Sequence, residues 1–313
     1  AGRLRQVPEA GPRSEGGICE PVGMDERRWT AEDQFTAGLD RPILVVGFRG
    51  LFDAAGSATS AVEWLAERLD SMQVGDVDPE TFFDFTQERP VVEFDEHDVR
   101  RIRWASNRVL AVRTADGQRD IVLVSGIEPH LRWRTFTEAL LEAATRSGSR
   151  LVVTLGSMSG MSPHTRPPAV TGSSTNRELA DRLGLDRPSY QGPTGVVGVL
   201  HDTLDRAGIP VISLRVSVPY YLPDSPNPKA TRALLRRFEQ VSGIDTAHAD
   251  LDGPAAEWQS RVELAVAGDA EVRAHVRRLE SQVDQSEDLM ARGDDLAAEL
   301  EAFLREQDAP PDA

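Results

Sequence analysis

The stretch Pro42–Gly47 (PILVVG), running on into 48–59 (FRGLFDAAGSAT), decides how the chain reads. Its unbroken Ile-Leu-Val-Val run is short for a helix, is rich in β-branched side chains and lacks polar alternation, so it reads as a strand covered on both faces. Glycines then mark a tight loop, and Asp53 stands where an N-cap belongs, ahead of a helix expected over 54–69. Strand, loop and helix in that order form the unit from which parallel sheets are built.

Working outward, three runs between 91 and 114 (VVEFDE, VRRIRWA, RVLAVRT) alternate or cluster apolar residues, and DIVLVSG follows Asp116-Gly117. The last two runs are expected to form a hairpin about that turn. Residues 128–147 read as a helix, while 150–155 (RLVVTL) and 209–218 (IPVISLRVSV) read as further buried strands. The Gly, Ser and Pro-rich segment 156–174 reads as a loop without regular structure, followed by helices near 176–183 and 196–207. A proline-rich connection (220–229) leads to a helix over 230–241. Past 255 only charged, amphipathic helices are read, the middle one with a stripe of Val272, Val276, Leu279 and Val283.

These readings divide the chain into an unstructured upstream tail (1–23), with Met24 the expected native start, an α/β domain (24–250) and a helical C-terminal lobe (251–313). The lobe holds 16 Asp and Glu against 6 Arg, a net −10 of the chain's −16. The expected fold is a three-layer α/β sandwich around a mostly parallel central sheet, with the small α-helical lobe appended.

A composition of 40% hydrophobic and 27% charged residues is that of a globular chain. The net charge of −16 argues against nucleic acid, which needs Lys and Arg massed on one face. The single cysteine, Cys19, precludes an internal disulfide and points to a reducing compartment. With no apolar run of about 18 residues to span a bilayer, a cytoplasmic protein without membrane partners is expected.

Familiar catalytic signatures fail. The string 156–160 imitates a nucleophile elbow but centres on Met158, no Walker-type Gly-Lys-Thr is present, and the six histidines lack metal-ligand spacing. No catalytic residue, cofactor or metal is therefore expected. What remains is a set of polar residues at strand ends, candidates for binding an anion or a partner. Arg49 and Asp53 flank the first strand-to-helix turn, where helix-start NH groups could hold an anion or where Asp53 only caps. Glu128 opens a second loop. His164, Thr165 and Arg166 stand between Pro163 and Pro167, stiffened for presentation or merely satisfying loop carbonyls. Lys229 and Thr231 start a helix, an unfavourable end for a cation unless an acidic group is near. Lys229 is the only lysine among 35 basic residues; either it survived an arginine-biased composition, or the position needs a compact ammonium.

Taken in order, GFRGLFDAAGSAT, GIEPHLRWRTFTEALL, TLGSMSGMSPHTRPPAV, YQGPTGVVGVL and VPYYLPDSPNPKATRALL resemble the proteasome assembly chaperone 2 family of bacteria, over about Pro42 to Phe238. The helical tail resembles that of longer actinobacterial members. The resemblance implies a fold distantly similar to nucleoside phosphorylases, homo-oligomers with trimers favoured, and a tie to the proteasome or other protein subunits. Some archaeal relatives dock through a C-terminal hydrophobic-Tyr-any tripeptide, whereas this chain ends Pro311-Asp312-Ala313. Two functions follow as expectations. The first is a non-catalytic, homo-oligomeric, protein-binding chaperone. The second is a phosphorylase-, hydrolase- or ligase-like enzyme with Arg49, His164, Arg166 and Lys229 converging on an anionic small molecule. The three strand-end loops are expected to share one edge of the sheet.

Overall fold

A computed structural model describes residues 38–114 and 118–286. Strand β1 (Ile43–Arg49) is followed by a 3-10 turn (Ala54–Gly56), α1 (Ser57–Arg68), β2 (Asp70–Val77) and the single-turn α2 (Pro79–Phe82). A short pair, β3 (Val91–Phe94) and β4 (Arg100–Arg103), precedes β5 (Asn107–Arg113), β6 (Ile121–Ile127) and α3 (Trp133–Ser147). The second half runs through β7 (Val152–Gly160), β8 (Val170–Ser173), α4 (Arg177–Leu183), α5 (Val196–Arg206), β9 (Val211–Pro219), α6 (Pro228–Ser242) and α7 (Asp252–Ala267). A last helix, α8, occupies 270–286.

Seven strands form one sheet in the order β2-β5-β6-β1-β7-β9-β8. The central four, β6, β1, β7 and β9, are mutually parallel; β5 joins β6 and β8 joins β9 antiparallel, and β2 pairs antiparallel with β5 at the edge. The run read first from the sequence therefore lies in the middle of the sheet. Its side chains alternate between two cores, as the period of a strand requires. Ile43 and Val45 join Ala58, Val62 and Leu65 of α1 and Leu234, Leu235 and Phe238 of α6. Leu44, Val46 and Phe48 join Phe136 and Leu140 of α3 and Leu200 and Leu204 of α5. Two helical layers around one sheet give the expected three-layer sandwich. Gly47 brings α1 close, since a Cβ there would lie 2.6 Å from a Val62 methyl and 3.3 Å from the Ala58 carbonyl oxygen.

Several boundaries differ from the sequence reading, each for a physical reason. The helix expected from 128 begins at Trp133: His130 and Leu131 donate their backbone NH groups to the Phe82 carbonyl, and Arg132 takes a left-handed φ of 52°. The segment 156–174 is not wholly irregular. β7 continues to Gly160 alongside β9, and β8 adds an edge strand antiparallel to β9. β2, absent from the reading, pairs antiparallel with β5 and carries a register shift between Gln73 and Gly75. The β5–β6 hairpin forms with Val112 opposite Ile121; its turn residues Asp116 and Gly117 lie outside the described residues, as do Cys19, Met24 and the last of the helices read past 255.

β3 and β4 stand apart as a two-stranded ribbon. Val92 faces Ile102 and Phe94 faces Arg100, while Glu93 and Arg101 occupy the other side. One side of the ribbon thus carries Val92, Phe94 and Ile102 together with Arg100, with Phe94 66% exposed. The other is laced by Arg103–Glu93 (2.5 Å) and Arg101–Asp95 (2.8 Å).

Candidate functional site

Because β1, β7 and β9 point the same way, the loops that follow them emerge together. Backbone bonds tie these loops directly: Ser157 donates its NH to the Phe52 carbonyl (2.7 Å), Ala55 to that of Pro223 (2.5 Å) and Tyr220 to that of Gly160 (3.1 Å). Asp53 and Ser157 also form a parallel bridge.

The candidate residues fall into three groups within this edge. Asp53 is buried and serves α1: its Oδ1 accepts from the backbone NH of Ala58 (2.8 Å) and Thr59 (3.1 Å), its Oδ2 from the Thr59 hydroxyl (2.6 Å). Burial pushes its carboxyl above the ordinary range, against the pull of those bonds. Glu128 spans two elements. Its Oε2 accepts from the Leu51 NH (2.8 Å) and its Oε1 from the Val196 NH (3.1 Å) at the start of α5, so a carboxylate of the chain itself lies where a helix N-terminus attracts an anion. Arg49 is not drawn toward the other cations; its guanidinium bonds Glu88 at 2.6 Å.

His164, Thr165, Arg166, Lys229 and Thr231 make up the third group. Lys229 Nζ donates to the His164 carbonyl and to Gln259 Oε1 of α7, each at 2.7 Å. This is a use for a slender ammonium that a planar guanidinium would fill less readily. Burial lowers the Lys229 pKa. His164 is buried, and its Nδ1 meets the Tyr221 hydroxyl at 2.8 Å; burial lowers the imidazole pKa and raises that of the phenol. Thr231 is buried at the base of α6, donating to the Asn227 carbonyl (3.2 Å). Thr165 and Arg166 face α8: Thr165 donates to Glu280 (2.5 Å), and Arg166 forms a fork onto Asp284 (2.7 and 2.8 Å) that holds the Asp284 carboxyl below its usual pKa.

The pairing partners were not singled out in the sequence. Glu88, Gln259, Glu280 and Asp284 lie 30 to 118 positions from the residues they serve, and nothing local marks them. A ladder of rings was likewise missed. His164, Tyr221, Tyr220 and His275 of α8 stack edge-on in succession, with centroids 6.0, 5.6 and 5.7 Å apart. The adjacent tyrosines after a strand were its one visible signal. Within the stripe read on α8, Val276 and Leu279 are buried and Val272 and Val283 half-buried.

A mixed sheet between paired helical layers, with strand-end loops locked to one another and to an added helical segment, defines a three-layer α/β scaffold. The chain belongs to the PAC2 family, whose model matches residues 47–266. A PAC2 family protein from Streptomyces avermitilis is 40% identical, with 75% of this chain and 99% of that one covered and a TM-score of 0.70. A proteasome-assembly chaperone homologue from Mycobacterium tuberculosis is 36% identical, with 75% and 99% covered and a TM-score of 0.69. A Corynebacterium glutamicum protein of unknown function is 25% identical, with 84% and 99% covered and a TM-score of 0.75. Among curated proteins none matches significantly. Among the described residues no helix is long and apolar enough to cross a membrane.

Proposed function

We propose that this chain is a non-catalytic, homo-oligomeric binding protein of assembly-chaperone type, cytoplasmic, with trimers the favoured state and proteasome or other protein subunits as clients. The exposed β3–β4 ribbon carries the reading. An isolated two-stranded ribbon is marginal in water, and this one turns Val92, Phe94 and Ile102 outward on one side. Such a surface gains stability when another protein surface covers it. The Mycobacterium tuberculosis relative's description as a proteasome-assembly chaperone homologue supports the same direction.

Light scattering coupled to gel filtration tests this. The wild type is expected above the 34.3 kDa of one chain, and Phe94→Asp combined with Ile102→Asp should return it to that mass with an unchanged circular-dichroism spectrum. A wild type that stays monomeric at high micromolar concentration excludes the homo-oligomer.

The rival, an enzyme for an anionic small molecule, draws on the proximity of His164, Arg166 and Lys229. Against it, Arg49 is engaged by Glu88, Arg166 by Asp284 and Lys229 by the His164 carbonyl and Gln259. Turnover of ATP or nucleosides that disappears in Lys229→Ala would establish the rival.

The division at 250/251 into an α/β domain and an acidic accessory lobe belongs to the same proposal. α7 buries Ala255, Trp258 and Val262 and packs on α6, so deleting 251–313 uncovers apolar surface of α6. The truncated chain should keep a cooperative unfolding transition at a lower midpoint; a chain with no transition would show that the two parts fold only as one.

A further inference from the structure

α6 presents a second surface that the proposed chaperone reading does not use. A cleft of about 390 Å³ lies between α6 and the loop that leads into β8. Pro167, Pro168 and Val170 supply one apolar wall and Ala233 adds to the other. Lys229, Arg232 and Arg236 also line it; their spacing of three and four residues sets them along one face of the helix.

The charge here runs against the rest of the chain. α6 contains four cations and one acid, Glu239, in a protein of net −16. Glu239 is turned to other work, accepting from the NH and hydroxyl of Thr246 at 3.0 Å each. Among the lining cations, Lys229 bonds the His164 carbonyl and Gln259, Arg232 pairs with Asp252, and Arg237 donates to the carbonyls of Leu183 and Gly184. Arg236 is exposed, and among the described residues it has no hydrogen-bond or ion-pair partner. Beside this cleft, the same loop already shows what it accepts. Glu280 and Asp284, one helical turn apart on α8, hold Thr165 and Arg166.

We propose that the cleft between α6 and the 163–170 loop is a docking site for an acidic peptide segment of a partner protein, a carboxylate meeting Arg236 while an aliphatic side chain lies on Pro167, Pro168 and Val170. The proposal rests on the protein-binding reading and adds the chemistry of the partner. Charge complementarity selects the carboxylate, and the apolar wall selects a peptide side chain over an inorganic anion, which would leave that wall uncovered.

The test uses the full chain and a short fluorescein-labelled peptide of alternating leucine and glutamate, with anisotropy read at low salt. Arg236→Glu should weaken binding about tenfold or more, and exchanging the peptide's glutamates for glutamines should do the same to the wild type. Arg206→Glu, on α5, should leave binding unchanged and controls for net charge. Equal affinity in wild type and Arg236→Glu overturns the site, as does equal binding of the glutamine peptide. Displacement by inorganic phosphate beyond that by chloride at matched ionic strength overturns the peptide assignment in favour of a small anion. Light scattering on the same samples reports the ribbon contact separately, so an intact oligomer that ignores the peptide refutes the cleft alone.

Discussion

Replacing Gly126 with alanine will destabilise the protein by about 3 kcal/mol or more, read as a drop in the urea midpoint at unchanged slope. Gly126 sits in β6 where β5 begins to diverge. The Asn107 side chain continues the pairing there, its Oδ1 accepting from the Ile127 NH at 2.5 Å. A Cβ at 126 would collide first with Asn107 Oδ1 and would also lie 2.5 Å from the Ser106 carbonyl oxygen and 2.7 Å from the Asn107 Cα. The Asn107 side chain would have to swing away and give up its bond to Ile127 within a buried region, and the two backbone atoms behind it yield only if the strands part. Asn107→Ala, which loses the bond and keeps the glycine, should cost less. Equal losses in the two variants would show that the side-chain bond and not the close approach governs this junction.

Acidification from pH 6.5 toward pH 4 will draw on stability through His201, which will contribute a large part of the slope. His201 reaches from α5 to the sheet, where its Nε2 meets the Thr154 hydroxyl at 2.9 Å. Burial, reinforced by the nearby Arg215 guanidinium, lowers its pKa to about 4. An unfolded chain protonates its histidines near pH 6.5, so between these values the unfolded state binds the proton and the native state does not. Stability therefore rises with pH across this window and is lost as pH falls through it, by up to about 3 kcal/mol for this one group. The lowered pKa of His164 acts in the same direction, whereas the lowered carboxylates, Asp284 among them, act at lower pH. Urea titrations of wild type and His201→Gln at intervals from pH 7 to pH 4.5 measure the effect. The variant should show a markedly flatter dependence; parallel curves would remove His201 from the account.

Which parts of the architecture could be read in advance depends on where the stabilising contacts lie along the chain. β1, β7 and β9 declare themselves because a strand covered on both sides must be apolar throughout. Asp53 declares itself because capping is a local act. β2 does not, since much of its length is exposed and its residues alternate poorly; pairing with β5 makes it a strand. β8 hides in a Gly, Ser and Pro-rich context because its place is secured by backbone bonds to β9 and the buried Ser173. The site was legible to the same degree. His164, Thr165, Arg166 and Lys229 could be nominated from proline-stiffened loops and a lone lysine, yet their use could not. Arg166 finds Asp284 across 118 positions and Lys229 finds Gln259 across 30, distances that only the folded chain closes.

Glu128 gives the strand-end surface a property of its own. Its carboxylate is a permanent tenant between two amide donors, Leu51 NH and Val196 NH, that belong to separate loops. Cutting the side chain back to alanine would evict the tenant and leave both donors in place, a receptor sized for formate or acetate. The link between the β1 loop and the start of α5 would then depend on how much of a simple carboxylate salt is supplied.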